Sequence, residues 1–251
     1  MLSKNTIKHI QSLRLKKFRQ KYRKFVVEGE KMALEILQST ELELEGLYAL
    51  PEWLEKYQAQ LIVASSKIHS LSAKDLERIS SLKTPNKVVV VCNIPTYSLE
   101  LPVLNNSLTL FLDGIQDPGN MGSILRIADW FGLPYVFCSL GCVDIYNPKV
   151  IQSSMGAFLR VKPIAIEITD LQSQCPDLNI FAAVLDGLNV FTTKLPKNGL
   201  LVIGNEGNGI SELVRAAANY QIMIPKGQEG GAESLNAAVA TGILCSALLN
   251  R

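Results

Sequence analysis

Residues 108–126 read LTLFLDGIQDPGNMGSILR, and the architecture of the second half of the chain follows from this stretch. The apolar run Leu108–Leu112 predicts a buried strand. The segment Asp113–Asn120 contains glycine and proline and predicts a turn. The mostly apolar residues that follow predict a helix to about Phe131. Strand, glycine-rich turn and helix in succession are the unit from which parallel α/β sheets are built.

The same alternation continues toward the C-terminus. Further strands are predicted at 135–138, 180–184, 200–203 and 222–224, and helices from about residue 147, over 211–218 and over 234–249. Strands that alternate with helices indicate a largely parallel sheet covered on both faces. The fold class is therefore α/β, with residues 108–251 as one domain.

A smaller α/β domain is predicted for residues 1–95. Its pattern is a basic amphipathic helix over 2–18, strands at 25–27, 47–50, 61–64 and 88–92, and helices near 32–37, 51–57 and 72–79. Residues 93–107 hold two prolines and several polar turn formers, so a linker is placed at 96–107.

The charge of the chain is distributed unevenly. The 251 residues carry a net charge of +2 and are 47% hydrophobic, which excludes bulk disorder. Counting from the sequence, residues 1–95 hold 16 basic and 10 acidic side chains, and residues 96–251 hold 9 and 13. The first 31 residues alone hold 10 basic and 2 acidic side chains. This asymmetry indicates that the first half contacts a polyanion.

Several classes of protein are excluded by composition. The basic N-terminus has no apolar segment of a secretory signal, and the most apolar stretch, 237–249, is too short to span a membrane. Five scattered cysteines fit reduced thiols of a cytoplasmic protein and offer no metal-ligand spacing. Both histidines, His9 and His69, lie in the basic half, so the second domain cannot use a histidine-dependent nucleophile.

Three glycine-rich turns, at 113–120, 204–209 and 225–234, each follow a short apolar strand of the second domain. Ligands of open α/β sheets bind beyond the carboxyl ends of the strands, so the three turns predict one composite pocket. The spacing at 204–209 is G-x-x-G-x-G rather than the dinucleotide fingerprint, and no P-loop motif is present.

Polar residues in and after these turns each have a structural and a functional interpretation. Asn120, Glu206, Ser234 and Asn236 all lie where they can cap a helix. Arg126 can pair weakly with Asp129 at i+3, although an arginine in so apolar a helix usually has a specific role. The last helix is rich in small residues, which indicates close backbone packing.

Taken together, the three turns resemble the three motifs of the SpoU (TrmH-type) RNA 2′-O-ribose methyltransferases of the SPOUT superfamily. The motifs are 112–126 (LDGIQDPGNMGSILR), 201–210 (LVIGNEGNGI) and 224–240, which contains ESLNAAVA at 233–240. Residues 1–95 also resemble the family's substrate-binding domain, notably at 25–30 (FVVEGE).

The resemblance implies a trefoil-knotted C-terminal domain, a homodimer and S-adenosylmethionine as cofactor, with no metal and no membrane. The substrate would be a ribose 2′-hydroxyl of rRNA or tRNA. The implied catalytic residues are Asn120, Arg126, Glu206, Ser234 and Asn236. The implied cofactor contacts are Gly204, Gly209, Ile224 and Leu235.

The basic N-terminal segment fits RNA as the partner of the first domain. The residues expected to bind phosphates are Lys16, Lys17, Arg19, Arg23 and Lys24, with Lys8, Arg14 and Lys21 beside them. Phe18 and Tyr22 are available to stack on unpaired bases.

Three alternatives stay open at this point. The first is a catalytically silent RNA-binding or ribosome-assembly factor that keeps the fold. The second is methylation of a base atom, which some SPOUT relatives perform. The third concerns Arg126, which acts either as the base or as an electrostatic stabiliser of the developing alkoxide.

Overall fold

The computed structural model describes residues 2–250, without the side chains of residues 63 and 64. The chain divides into two compact units. Unit 1 holds the chain up to Thr96 together with Asp144–Leu159, and unit 2 holds Tyr97–Val143 together with the chain from Arg160 onward. The segment 144–159, which the sequence pattern groups with the second domain, therefore has its contacts in unit 1.

Unit 1 is a mixed α/β unit. Its elements are α1 (Lys4–Ser12), α2 (Lys16–Tyr22), β1 (Lys24–Glu28), α3 (Glu30–Gln38), β2 (Leu44–Ala49), α4 (Pro51–Lys56), a 3₁₀ helix (Ile62–Lys67), β3 (Ile68–Ser70), α5 (Ala73–Ile79) and β4 (Val88–Asn93). The later segment adds α8 (Pro148–Ser154) and a 3₁₀ turn (Ala157–Leu159).

The sheet of unit 1 has the strand order β1-β4-β2-β3. β4 pairs antiparallel with β1 and β2, and β2 pairs parallel with β3. The valines Val88–Val91 of β4 are almost completely buried. An unbroken apolar run suits this interior position, because both faces of the strand are covered.

Two of the predicted elements in unit 1 are wrong. The single helix expected over 2–18 is two helices, interrupted at residues 13–15. The strand expected at 61–64 is the start of the 3₁₀ helix Ile62–Lys67, and the strand begins only at Ile68. A short apolar run does not distinguish strand from helix by periodicity, which explains the second error.

Unit 2 contains the predicted parallel sheet. Its elements are α6 (Leu101–Asn106), β5 (Leu108–Asp113), α7 (Pro118–Trp130), β6 (Tyr135–Cys138), β7 (Lys162–Ala165), α9 (Ile168–Gln174), β8 (Ile180–Asn189), β9 (Gly199–Gly204), α10 (Glu212–Ala217), β10 (Tyr220–Met223) and α11 (Ala237–Leu249).

All six strands of unit 2 run parallel, in the order β10-β8-β9-β5-β6-β7. From β5 the chain moves outward through β6 and β7 and then crosses to the other side, where β9 pairs with β5. The topological switch point therefore lies between β5 and β9. Because the strands are parallel, the three glycine-rich turns, which follow β5, β9 and β10, emerge at the same edge of the sheet.

The segment predicted as a linker contains α6, whose Leu104 is completely buried in the core of unit 2. Helices α7 and α11 pack against each other, and α11 also contacts β9. The last helix begins at Ala237 rather than at residue 234. Across the described residues 2–250, no helix combines the length and the apolar character needed to cross a membrane.

Candidate active site

The three glycine-rich turns are joined by a chain of side-chain hydrogen bonds. The Asn120 amide nitrogen donates to Glu206 Oε1, which links the first turn to the second. Asn236 lies two residues after the third turn, and its amide nitrogen donates to Asn120 Oδ1 at 2.8 Å, which links the end of the third motif to the first turn. The carboxamides of Asn120 and Asn236 and the carboxylate of Glu206 thus meet at one edge of the sheet, as expected where parallel strands end together.

Two helix caps hold this chain in place. Asp117 caps α7 and accepts from the backbone N–H of Asn120 at 2.8 Å, so Asn120 is not the cap that its position suggested. Asn236 does cap α11, accepting from the backbone of Ala238 and Val239 at 3.0 and 3.2 Å. The Asn236 side chain therefore closes the helix with its oxygen and reaches Asn120 with its nitrogen.

Asn205 connects the backbones of the first two turns. Its Nδ2 donates to the carbonyl oxygen of Gly114 at 2.8 Å. Its Oδ1 accepts from the backbone of Gly207 at 2.8 Å and of Asn208 at 3.1 Å. A single side chain thus fixes the relative position of both loops, a role that no sequence pattern indicated.

Gly204 and Gly209 lie where the second turn folds back on the end of β9. A Cβ on Gly204 would stand 2.6 Å from the carbonyl oxygen of Gly209. Gly209 has φ +69°, in the left-handed region that favours glycine. The turn therefore requires glycine at position 204 for close backbone approach and favours glycine at position 209 for its left-handed conformation.

An open cavity of about 190 Å³ lies between the turns after β5, β6 and β9. It is lined by Asp113, Gly114, Gln116, Gly141, Asn205, Asn208, Gly209 and Ser211. Asp113 is 8% exposed and accepts from the backbone N–H of Ser211 at 2.7 Å, just before α10. Of the predicted cofactor contacts only Gly209 lines this cavity.

The other predicted cofactor residues lie at the same edge of the sheet. Ile224 follows β10 directly and is half-buried. Leu235 precedes α11 and is 46% exposed. An apolar side chain so exposed beside glycine-rich turns is suited to covering an apolar part of a ligand.

Arg126 and Ser234 are not brought into the hydrogen-bonded chain. Arg126 lies six residues after Asn120 on α7, about 9 Å along the axis and roughly 240° around it. Within the described part of the chain, neither side chain makes a hydrogen bond or an ion pair, and both residues are exposed. Ser234 also lies outside α11, which begins three residues later.

The turn after β6 contains two neighbouring cysteines. Cys138 and Cys142 are both buried, and the Cys142 thiol donates to the carbonyl oxygen of Leu112 at 3.1 Å. A hydrogen bond from Cys138 lowers the pKa of Cys142 to about 7. The same bond and burial raise the pKa of Cys138 well above its usual value. Within residues 2–250 described here, no three His, Cys, Asp or Glu side chains are grouped as metal ligands.

The structure corrects one of the predicted RNA-binding residues in unit 1. Arg19 is 2% exposed, and its Nη1 donates to the carbonyl oxygens of Leu13 and Arg14, both at 2.8 Å. Its Nε donates to Asp144 Oδ2, also at 2.8 Å. The side chain satisfies the carbonyls that the break between α1 and α2 leaves free. Arg19 therefore belongs to the interior and does not face RNA.

The remaining basic candidates differ in how free they are. Lys16 and Lys17 are exposed. Arg23 is exposed but donates to the Ile94 carbonyl at 3.3 Å and to Thr96 Oγ1 at 3.0 Å. Lys24 is paired with Glu45 at 2.5 Å. The exposed side of α2 therefore offers the freest cations of this group.

Aromatic rings accompany these cations on α2. The rings of Phe18 and Tyr22 are nearly parallel, with centroids 6.1 Å apart. The Lys17 and Lys21 ammonium groups lie 5.0 and 5.5 Å from these two ring centroids. Tyr22 is 38% exposed, so part of this aromatic pair is open to solvent.

Comparison with known proteins identifies relatives along the whole chain. The SpoU rRNA Methylase family matches residues 107–246, and the MRM3-like substrate binding domain matches residues 4–90. The 23S rRNA (guanosine(2553)-2′-O)-methyltransferase RlmP of Bacillus subtilis is 29% identical over 254 residues, covering 95% of this chain and 93% of the relative.

Solved structures agree with these matches. A TrmH-family protein from Porphyromonas gingivalis is 36% identical and superposes with a TM-score of 0.87, covering 100% of this chain and 99% of that chain. The SpoU methyltransferase AviRb of Streptomyces viridochromogenes, solved with AdoMet, shares the fold at 22% identity and a TM-score of 0.86, covering 99% of this chain and 98% of that one. The protein belongs to the SpoU rRNA methylase family.

Proposed function

We propose that this protein is an S-adenosylmethionine-dependent RNA methyltransferase that methylates a ribose 2′-hydroxyl of ribosomal RNA. The observation that carries the proposal is the hydrogen-bonded chain Glu206–Asn120–Asn236, in which the three family motifs meet. Relatives such as the Bacillus subtilis protein are named as 23S rRNA 2′-O-methyltransferases, which supports rRNA as the substrate. We expect such an enzyme in the cytoplasm.

The residues at the carboxyl edge of the sheet fit the cofactor. A Cβ on Gly204 would occupy the narrow space against Gly209, so the turn leaves backbone rather than side chain at this place. Ile224 and Leu235 supply apolar surface that an adenosine group can cover. These four residues would hold S-adenosylmethionine, which supplies a methyl group on a positively charged sulfur.

The catalytic residues are assigned by the chemistry that each side chain can perform. A ribose hydroxyl is a poor nucleophile until its proton leaves, and the sequence of unit 2 contains no histidine. Because an arginine stays protonated, Arg126 is assigned to bind a phosphate next to the target ribose and to stabilise negative charge on the 2′-oxygen. The proton then passes to solvent or to phosphate.

The hydrogen-bonded chain is assigned to orientation. Asn120, held by Glu206 and Asn236, presents a fixed carboxamide beside the turns, and Ser234 leaves its hydroxyl available for the ribose. Fixing the reacting groups contributes to the rate because the entropy of alignment is lost before the reaction. The exposed cations and aromatic rings of α2 would bind phosphates and unpaired bases of the RNA.

The activity test uses radiolabelled S-adenosylmethionine and RNA isolated from cells that lack the gene. The wild-type protein is expected to label the RNA, and digestion should yield one 2′-O-methylated nucleoside. Asn120→Ala removes the hydrogen bonds to Glu206 and from Asn236 and should lower kcat at least about tenfold, the equivalent of two lost hydrogen bonds, with unchanged cofactor affinity by calorimetry. Asn106→Ala on α6, outside the three turns, is the matched control.

Two outcomes contradict the proposal. Absence of cofactor binding by the wild type identifies a silent RNA-binding factor instead. A label found on a base atom identifies a base methyltransferase.

Arg126→Lys separates the two roles of Arg126. Because lysine keeps the positive charge, methylation activity that persists with a shifted pH profile indicates a stabilising charge.

The proposal includes a homodimer joined through α7 and α11. These two helices pack together and expose large apolar side chains, with Trp130 85% and Val239 51% exposed. Such side chains are what an isologous interface buries. Arg126, which points away from Asn120 along α7, would then act in the site of a second chain.

A mixing experiment tests this arrangement. Arg126→Ala and Asn120→Ala are co-expressed with different tags, and mixed dimers form about half of the population. If Arg126 acts across the interface, one of the two sites in each mixed dimer is intact, and the mixture recovers about a quarter of the wild-type activity. Recovery near zero, with mixed dimers present by mass, excludes action across the interface. A monomeric mass for the wild type excludes the dimer itself.

A further inference from the structure

The cavity between the turns after β5, β6 and β9 lies at the topological switch point of the sheet of unit 2. Open α/β sheets bind their ligands at this place, because the loops on the two sides diverge and leave a crevice. The cavity measures about 190 Å³. This is below the ~300–1,000 Å³ of a complete small-molecule site, so the cavity suits one ring system of a larger ligand.

Most polar groups of the lining are already committed to the fold. Asp113 accepts from the Ser211 backbone, and the Asn205 side chain bonds to the Gly114 carbonyl and to its own loop. The Ser211 hydroxyl caps α10 and accepts from the backbone of Val214 at 3.4 Å. Two lining side chains remain, Gln116 and Asn208, both exposed. Among the residues that the structure describes, neither carboxamide has a hydrogen-bond partner.

Two uncommitted carboxamides favour a particular class of ligand. A carboxamide carries a donor and an acceptor in one plane and no charge, which matches the edge of a nucleobase. Glycine at positions 114 and 141 leaves the lining without side chains at two further points, so a flat ring can approach the backbone closely. No basic side chain lines the cavity, which disfavours a phosphate.

We propose that this cavity binds the base of the nucleotide whose ribose is methylated, and that Gln116 and Asn208 read its hydrogen-bonding edge. The inference rests on the proposed function. The same two turns carry the lining residues Gln116 and Asn208 and the hydrogen-bonded residues Asn120 and Glu206, so base and ribose would be bound by adjacent parts of the same loops. The adenine of the cofactor is the other nucleobase available. Gly209, one of the four expected cofactor contacts, lines the cavity, but Gly204, Ile224 and Leu235 do not.

The test begins once the methylated nucleotide has been mapped in RNA from cells that lack the gene. Four short transcripts carry that site with each of the four bases at the target position. The wild-type protein is expected to prefer its native base in kcat/KM. Gln116→Ala and Asn208→Ala should each reduce that preference about ten- to hundredfold, the discrimination that a base-specific pair of hydrogen bonds provides.

Gln174→Ala on α9 serves as the control, since its amide bonds to the backbone carbonyl of Asp170 within the same helix. Calorimetry with S-adenosylmethionine should give the wild-type affinity for both cavity variants, which also shows that they fold. Unchanged base preference in both variants overturns the inference. So does a loss of cofactor affinity, because the cavity would then hold the adenine. Failure of the wild type to methylate any RNA refutes the proposed function instead.

Discussion

Replacing Asp144 with alanine is expected to destabilise unit 1 by about 3–5 kcal/mol, because it leaves the buried guanidinium of Arg19 without a counter-charge. The two side chains are 2% and 15% exposed, and Arg19 Nε lies 2.8 Å from Asp144 Oδ2. The backbone carbonyls of Leu13 and Arg14 stay bonded to Arg19, but dipoles do not replace a carboxylate. The cost should therefore lie in the range measured for broken buried pairs.

Tryptophan fluorescence separates unit 1 from unit 2 in this measurement. Trp53 of unit 1 is 1% exposed, whereas Trp130 of unit 2 is 85% exposed. In a Trp130→Phe background, urea unfolding followed by Trp53 emission reports unit 1. With a slope of about 2 kcal/mol per M, the loss lowers the midpoint by about 2 M.

The control for this experiment is Glu45→Ala. Glu45 pairs with Lys24, and the two side chains are 43% and 22% exposed, so the loss should stay below about 1 kcal/mol. An unchanged midpoint for Asp144→Ala would refute the structural role of the pair. Weaker RNA binding by a fully stable Arg19→Met protein would show that Arg19 contributes to RNA binding.

Substitutions of His9 and Gly204 and alkylation of Cys142 each test one feature of the structure. Burial lowers the pKa of His9 below 6.5. Because unfolded chains then bind more protons, unit 1 should lose stability as the pH falls from 6.5 to the lowered pKa of folded His9, and urea titrations of His9→Gln should not show this loss. Gly204→Ala should lower thermal stability by about 1–3 kcal/mol and abolish cofactor binding. A Cβ added at Gly231 would have nothing within 4 Å, so Gly231→Ala should leave stability unchanged. Equal melting temperatures of the two variants would contradict the steric argument. The pKa of Cys142 is about 7, against about 12 for Cys92. Iodoacetamide should therefore alkylate Cys142 first, and faster as the pH rises through about 7. Mass spectrometry that finds faster labelling of Cys92 would contradict this order.

The predicted sheet of unit 2 is largely confirmed because its central strands are continuous apolar runs. β5 and β9 are such runs, buried along nearly their whole length, and the sequence pattern indicates them directly. β7 was missed because it is a four-residue edge strand, Lys162–Ala165, with a proline inside. A proline in a short run argues against a strand in the sequence pattern, although an edge strand tolerates it, so no strand was predicted there.

The convergence of the three turns was predictable because parallel strands end at one edge. Which side chains bond to one another at that edge could not be predicted. Asn205 connects residues 91 positions apart by one hydrogen bond to Gly114, and nothing in its neighbourhood distinguishes it from a turn residue. The sequence left a capping and a functional role open for Asn120; Asp117 is the cap, and the Asn120 side chain donates to Glu206 instead. Local sequence indicates which residues can cap, and only tertiary contacts determine which one does.

The segment Asp144–Leu159 shows why the boundary of unit 1 cannot be found from local sequence. Its Tyr146 and Phe158 rings lie 4.6 and 5.9 Å from the ring of Phe25 in β1, and its Asp144 neutralises Arg19. A fragment cut at residue 96 would keep the buried arginine and lose its carboxylate, and it would expose the Phe25 ring. The ten basic residues near the N-terminus indicated a surface for RNA, yet one of them is neutralised by a residue 125 positions away. The basic segment therefore combines two functions, since Arg19 stabilises the break between two helices and the exposed lysines of α2 remain for the polyanion.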